Sequence, residues 1–167
     1  RLEQAFSFLS VAKLAADAAG QAIVWRMQDE QELRAKGKDD VVTNADLIAE
    51  QAITDIIKTR YPDHSILAEE SGQQDGTASY TWVIDPIDGT MNYWRRLPMF
   101  SVSIGLLDES GFLAGVVHDP LRNHFFSAVR DERAIFDYSK SVDHQLKRQM
   151  DVSATINLSD AVIGFDW

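Results

Sequence analysis

Residues Trp82 to Tyr93 read W-V-I-D-P-I-D-G-T-M-N-Y, and this run constrains the fold more than any other. An apolar triplet, Trp82, Val83 and Ile84, has strand character and delivers a carboxylate, Asp85, at its end. Pro86 has no N–H to extend a ladder, so the backbone is expected to turn there. Asp88 then presents a second carboxylate, and Gly89 permits a close bend before a helix starting near Thr90. Two hard oxygen donors beside a helix N-terminus suit a divalent cation and an anion held side by side. Asp, Pro and Gly are also ordinary turn residues, and a bare D-P-x-D would be read as a solvated turn. The full string after a buried strand reverses those odds.

Two helices are expected upstream. Leu2, Ala5, Phe6, Leu9, Ala12, Ala16, Ala19, Ile23 and Met27 recur at three- and four-residue steps, one apolar stripe with Gly20 a mild interruption. Gln28 to Asp40 is polar and reads as a loop or frayed helix end. A second helix is expected from about Asn44 to Arg60, burying Leu47, Ile48, Ala52, Ile56 and Ile57 and stopped at Tyr61-Pro62. Strands follow at Ser65–Ala68 and Thr81–Ile84, separated by a Gly- and Gln-containing loop. Phe100, Val102, Ile104 and Leu106 alternate with small polar residues, and Asp108-Glu109-Ser110-Gly111 turns the chain into Phe112–Val117. His124–Val129 is a further strand. Arg130 to Asp151 has poor patterning, with Tyr138 to Met150 a short helix or exposed loop, and Ala161–Phe165 reads as a strand. The whole is a largely antiparallel sheet packed against two N-terminal helices.

Composition sets limits on function. At 167 residues one domain with a real core is the default. A net charge of −10 argues against binding a nucleic acid polymer or anionic lipid. It leaves a phosphorylated substrate open, because bound cations reverse the local field. The absence of cysteine excludes disulfides, thiolate metal sites and a cysteine nucleophile. No apolar run approaches the ~18 residues needed to span a bilayer. The start shows no secretion signal, so the cytoplasm is the default location, and Arg1 suggests a processed or trimmed beginning. His64, His118, His124 and His144 lack zinc spacing and read as structural or surface residues.

Three ordered motifs resemble the inositol monophosphatase family of lithium-sensitive, magnesium-dependent phosphatases. D-P-I-D-G-T-M-N-Y is similar to its D-P-x-D-G-T-x-N-F/Y signature. Asp40-Val41-Val42-Thr43-Asn44-Ala45-Asp46 resembles its D-x-V-T-x-x-D. Ile66-Leu67-Ala68-Glu69-Glu70-Ser71 resembles its G-E-E-S segment, with Ala68 in place of glycine. The resemblance runs from about Leu2 to Val129. It implies the layered α/β sandwich of the sugar phosphatases, with 1–167 as an N-terminal metal- and phosphate-binding part whose C-terminal layers lie outside this chain. The family's glycine-rich turn has no counterpart in Asp131–Phe136. Its second signature, W-D-x-A-A-G, is not matched by Ile163-Gly164-Phe165-Asp166-Trp167.

What the resemblance implies about chemistry is specific. Glu69 and Asp85, with the Ile87 carbonyl, would hold one Mg2+, and Asp85 would bridge to a second shared with Asp88. Three carboxylates together without a cation would raise one another's pKa values, a conflict that magnesium resolves. Lys36 and Lys38 would lie in the loop that covers the site and helps place a weaker third ion. Gly89 and Thr90 would offer N–H groups to the substrate phosphate. Asp46 would hydrogen-bond Thr90, and the pair would orient a metal-activated water for direct attack on phosphorus. From the residues alone, Thr43-x-x-Asp46 is a capping box, and Asp46 can fill both roles. Asn92 reads as a turn-stabilising side chain. The expected function is a magnesium-dependent phosphomonoesterase acting on a small phosphorylated substrate, a homodimer when full length. The alternatives are a non-catalytic module that binds cation and phosphate, or a family member acting on fructose bisphosphate or a nucleotide 3′-phosphate.

Overall fold

The alanine-rich stripe forms α1, Leu2–Arg26, and the small side chains of Ala12, Ala15, Ala16 and Ala19 let its backbone approach its neighbours closely. The computed structural model describes residues 2–28, 33–35, 41–138 and 147–164. A second helix, α2, runs Asn44–Arg60 as expected, and Tyr61 closes it by donating its N–H to the Ile57 carbonyl. Together α1 and α2 pack against one another and against the central sheet.

The sheet has eight strands. In chain order they are β3 (Ser65–Ala68), β4 (Gly72–Gln74), β5 (Thr81–Asp88), β6 (Ser101–Asp108), β7 (Gly111–Asp119), β8 (His124–Val129), β9 (Ala134–Asp137) and β10 (Lys147–Met150). Across the sheet they run β10-β9-β8-β7-β6-β5-β3-β4, antiparallel except for the parallel pair β3 and β5. A separate two-stranded ribbon joins β1 (Leu33–Ala35) to β2 (Val41–Thr43). The helix α3, Thr90–Trp94, follows β5. Val102, Ile104 and Leu106 bury alternate positions of β6 under the helices, the period-two pattern read in the sequence.

Several expectations are corrected. β5 continues through Pro86 to Asp88 instead of turning at the proline. The polar stretch after α1 contains β1, while Lys36, Lys38 and Asp40 lie outside the described residues. β4 and β10 occupy segments read as loop or helix, and Ala161–Gly164 is not a strand but an irregular tail after a short 3-10 turn at Leu158–Asp160. Phe165, Asp166, Trp167 and His144 are also outside the described residues. In α1, Phe8 enters the core while Leu2 and Phe6 face outward. In α2 the buried face is Ala45, Asp46, Ala49, Glu50, Ile53 and Ile57, and Leu47 is exposed.

Aromatic packing joins the helices to the sheet. Phe8 lies edge-on to Tyr61 at 5.0 Å, and His64 stacks between Tyr61 and Tyr80. Fully buried Trp82 donates its indole N–H to His64 Nδ1 at 3.0 Å. Burial holds the His64 pKa below its ordinary value, consistent with a neutral ring that accepts on Nδ1. Tyr93 donates to the Ile23 carbonyl at 3.0 Å and ties α3 to the end of α1.

Gly20 is a packing requirement. A Cβ there would come within 2.7 Å of His118 Cε1 and 2.9 Å of Pro120 Cβ. His118 is itself pinned, with Nδ1 at 3.0 Å from the Ala16 carbonyl and its ring stacked on Phe125 at 3.9 Å. Alanine would gain about 1 kcal/mol of helix propensity but lose about 1–3 kcal/mol to overpacking and about 1 kcal/mol with the hydrogen bond. Gly20→Ala is therefore expected to destabilise, read as a lower urea midpoint. A raised midpoint would contradict this packing.

Candidate active site

Parallel pairing of β3 and β5 sets the site. Ala68 lies opposite Ile84, so the residues that follow stand side by side, Glu69 just past the end of β3 and Asp85 within β5. The Glu69 N–H donates to the Ile84 carbonyl at 3.1 Å and continues the pairing one step. The two carboxyl groups are neighbours that act on one another electrostatically. Beyond Asp85 the ladder with β6 shifts: Asp85 pairs with Ser103, and Asp88 with Ser101. Three steps on β5 thus match two on β6, a bulge that absorbs the donor-less Pro86 within the strand. The chain turns at Gly89, whose φ of 96° is left-handed and which leads directly into α3. A Cβ there would meet the Met99 carbonyl oxygen at 2.9 Å, so glycine is required on two counts.

Asp85 is the strained group. Burial, then the neighbouring carboxylates of Glu69 and Asp88, push its pKa up to about 7 from an ordinary 3.8. Its Oδ1 is buried with no hydrogen-bond partner among the described residues. Asp88 is exposed on the same strand. Among the described residues no three acidic or histidine side chains converge as a ready metal cage. The donors are nevertheless hard oxygens, one is buried and unsatisfied, and the Asp85 and Glu69 carboxyl groups are neighbours. Such a pair fits a hard divalent cation, which would displace the Asp85 proton and leave that group ionised.

Asp46 sits at the first turn of α2 with no solvent exposure. Its Oδ2 accepts from the Thr43 N–H at 2.8 Å and the Thr43 hydroxyl at 2.6 Å. This completes the capping box expected from the sequence. Its Oδ1 faces the Thr90 hydroxyl at 3.1 Å, and that hydroxyl lies equally far from the Ile87 carbonyl. One hydroxyl proton serves both acceptors. Burial raises the Asp46 pKa, opposed by these hydrogen bonds. The first and third motifs, 44 residues apart at Asp46 and Thr90, therefore meet. Asn92 donates to the Met99 carbonyl at 2.9 Å and holds the turn after α3.

Glu50 was not singled out in the sequence, yet it is 4% exposed. Its two carboxylate oxygens accept from the Glu70 and Ser71 N–H groups at 2.7 and 2.9 Å. An acid four residues after Asp46 on a helix was the available signal. The large cleft of about 700 Å³, lined by Leu2, Phe8, Tyr80, Asp108 and Arg130 among others, contains none of these residues.

The fold agrees with the comparisons. The model of the inositol monophosphatase family matches residues 6–164, and the chain belongs to that family. It is 45% identical over 129 residues to Nus factor SuhB of Pasteurella multocida, covering 75% of this chain and 48% of that protein. It is 38% identical over 159 residues to an inositol-1-monophosphatase of Synechocystis, covering 94% and 52%. Among solved structures, the extragenic suppressor protein suhB of Bartonella henselae superposes with a TM-score of 0.80 at 31% identity, covering 89% of this chain and 55% of that one. The chain spans about half the length of the curated relatives it matches. No helix among the described residues is long and apolar enough to cross a membrane.

The Asp85 environment has a thermodynamic consequence. With a folded pKa near 7 and an ordinary value of 3.8, the folded chain holds a proton that the unfolded chain releases across that window. Stability from this group is therefore lost as pH rises from about 4 to about 7. His64 and His118, whose pKa values burial lowers, act in the opposite sense below pH 6.5. Comparing variants separates the two. In chelator, the stability of Asp85→Asn relative to wild type is expected to rise as pH goes from about 4 to about 8. A difference independent of pH would show that Asp85 is not held in this state.

Proposed function

We propose that the full-length protein is a magnesium-dependent phosphomonoester hydrolase acting on a small phosphorylated substrate. Support comes from family membership and above all from one observation, the neighbouring carboxyl groups of Asp85 and Glu69 with the unsatisfied buried Asp85 oxygen. In this reading Glu69, Asp85 and the Ile87 carbonyl would hold one Mg2+, and Asp85 and Asp88 would hold a second. Bound magnesium supplies charge neutralisation at the phosphate and lowers the pKa of water.

The protein's own groups do the rest. Thr90 can donate its hydroxyl proton to Asp46 Oδ1, which leaves oxygen lone pairs to accept a proton from water. The water oxygen forms a bond to phosphorus as the ester P–O bond breaks. The water proton passes to Thr90 Oγ1 as the Thr90 proton passes to Asp46, and the departing alkoxide takes a proton from solvent. The raised pKa of Asp46 improves it as the acceptor. The N–H groups of Gly89 and Thr90 orient the phosphate. α3 has only five residues, so these individual donors matter more than a helix dipole.

The relatives named Nus factor SuhB motivate a second reading, a Nus-factor role. With a net charge of −10, such a role would rest on protein contact rather than direct nucleic acid binding.

Two outcomes test the hydrolase reading. Phosphate release from small phosphate esters should require Mg2+, fall with added lithium, and drop about 10²-fold or more in Asp85→Asn, since the metal contributes several kcal/mol to the transition state. Near-normal turnover of that variant in saturating magnesium would sink it. Separately, Thr90→Ala and Asp46→Asn should each lower kcat, with the double variant little worse than either. Multiplicative losses at unchanged metal affinity would show that the two residues do not share a task.

A further inference from the structure

The turn between β3 and β4 consists of residues 69–71, since Ala68 pairs with Gly72. Gly72, at φ 74°, accommodates the left-handed exit of this three-residue hairpin loop. A loop of this kind at the surface would ordinarily leave amides to water. Here all three are committed to partners outside the loop. The Glu69 N–H bonds the Ile84 carbonyl, immediately before Asp85. The Glu70 and Ser71 N–H groups both bond the buried carboxylate of Glu50 on α2. Glu69 is thus fixed from one side by the strand that carries Asp85 and from the other by the helix that carries Asp46.

The strength of the two attachments differs. The bond to Ile84 is a neutral amide contact at 3.1 Å. The pair to Glu50 is charge-assisted and two-pronged at 2.7 and 2.9 Å, roughly twice as strong per bond. A two-pronged acceptor on a rigid helix also fixes orientation, which a single bond does not. Asp46 and Glu50 lie one turn apart on the same buried face, so α2 holds the Thr90 loop with one carboxylate and the Glu69 loop with the other.

We infer that Glu50 is a positioning residue for the cation site: its carboxylate clamps the 69–71 turn so that Glu69 meets Asp85. The inference rests on the proposal that Glu69 and Asp85 hold magnesium. Glu50 itself contributes no ligand and takes no part in the reaction.

The test is calorimetric titration of MgCl2 into the full-length protein and its Glu50→Gln variant, with circular dichroism to establish folding. Glutamine offers one acceptor oxygen and an NH2 that opposes the second amide, so the clamp is halved without a cavity. Removing a partner that orients a ligand typically weakens metal affinity 10- to 100-fold, so Kd is expected to rise about 10-fold or more. Exchange protection of the Glu70 and Ser71 amides should fall together with it. A residue serving stability alone would lower the melting temperature in chelator and leave magnesium affinity unchanged. Wild-type affinity in folded Glu50→Gln would overturn the inference while leaving the hydrolase proposal intact. Absence of magnesium binding in wild type would overturn both. If Glu50→Gln does not fold, Glu50→Asp, shorter by one methylene, takes its place under the same criterion. Fast exchange of both amides in wild type would by itself show that no clamp exists.

Discussion

A carboxylate without solvent access must find its donors in the protein, and that of Asp46 finds them in two places. Thr43 supplies a backbone N–H and a hydroxyl from one side, and Thr90 faces it from the other. Leaving such a group without partners costs several kcal/mol, so the donors are as constrained as the acid. This single buried group thereby couples the start of α2 to the loop after β5. Glu50, one helical turn later, couples the same helix to the loop after β3. Two acids on one face make α2 the reference against which both loops are set.

The opposite arrangement holds at Asp85. There the buried oxygen has no donor among the described residues, and Glu69 and Asp88 act on it with like charge. The conflict follows from topology: the parallel pairing of β3 with β5 sets the residues after Ala68 and Ile84 side by side, and those residues are Glu69 and Asp85. Burial first, and then repulsion from Glu69 and Asp88, favours the protonated form in the cation-free protein and pushes the Asp85 pKa up to about 7. Asp46 on α2 is rich in donors, and Asp85 on β5 has a buried oxygen that lacks one among the described residues. One is suited to holding geometry and the other to receiving a cation.

Much of this was legible in the chain, with informative exceptions. The alternation in β6 and the turn at Asp108–Gly111 read correctly because one face of the sheet is apolar and the hairpin turn has its expected residues. The face of α2 was misread because two of its buried positions are acids, which hydrophobic patterning assigns to solvent. The same patterning places Leu47 inside, although it is exposed. In sequence the bulge at Pro86 reads as a turn because a missing donor is compatible with either, and only the ladder partner in β6 separates them. The strands β1, β4 and β10 are three or four residues long, too short and polar for any period to register. The Thr43 to Asp46 cap was visible locally, but its reach to Thr90 is a tertiary contact no local pattern carries.

The central claim is that the Asp85 and Glu69 pair holds a proton where a cation belongs. Its most direct test is the proton count on magnesium binding, obtained by titrating MgCl2 into full-length protein at about pH 7 in buffers of differing ionisation enthalpy. A group with a pKa near 7 is about half protonated there, so binding should release roughly half a proton per protein, falling toward zero by about pH 9. Magnesium binding with no proton release at about pH 7, or no binding at all, would contradict the account.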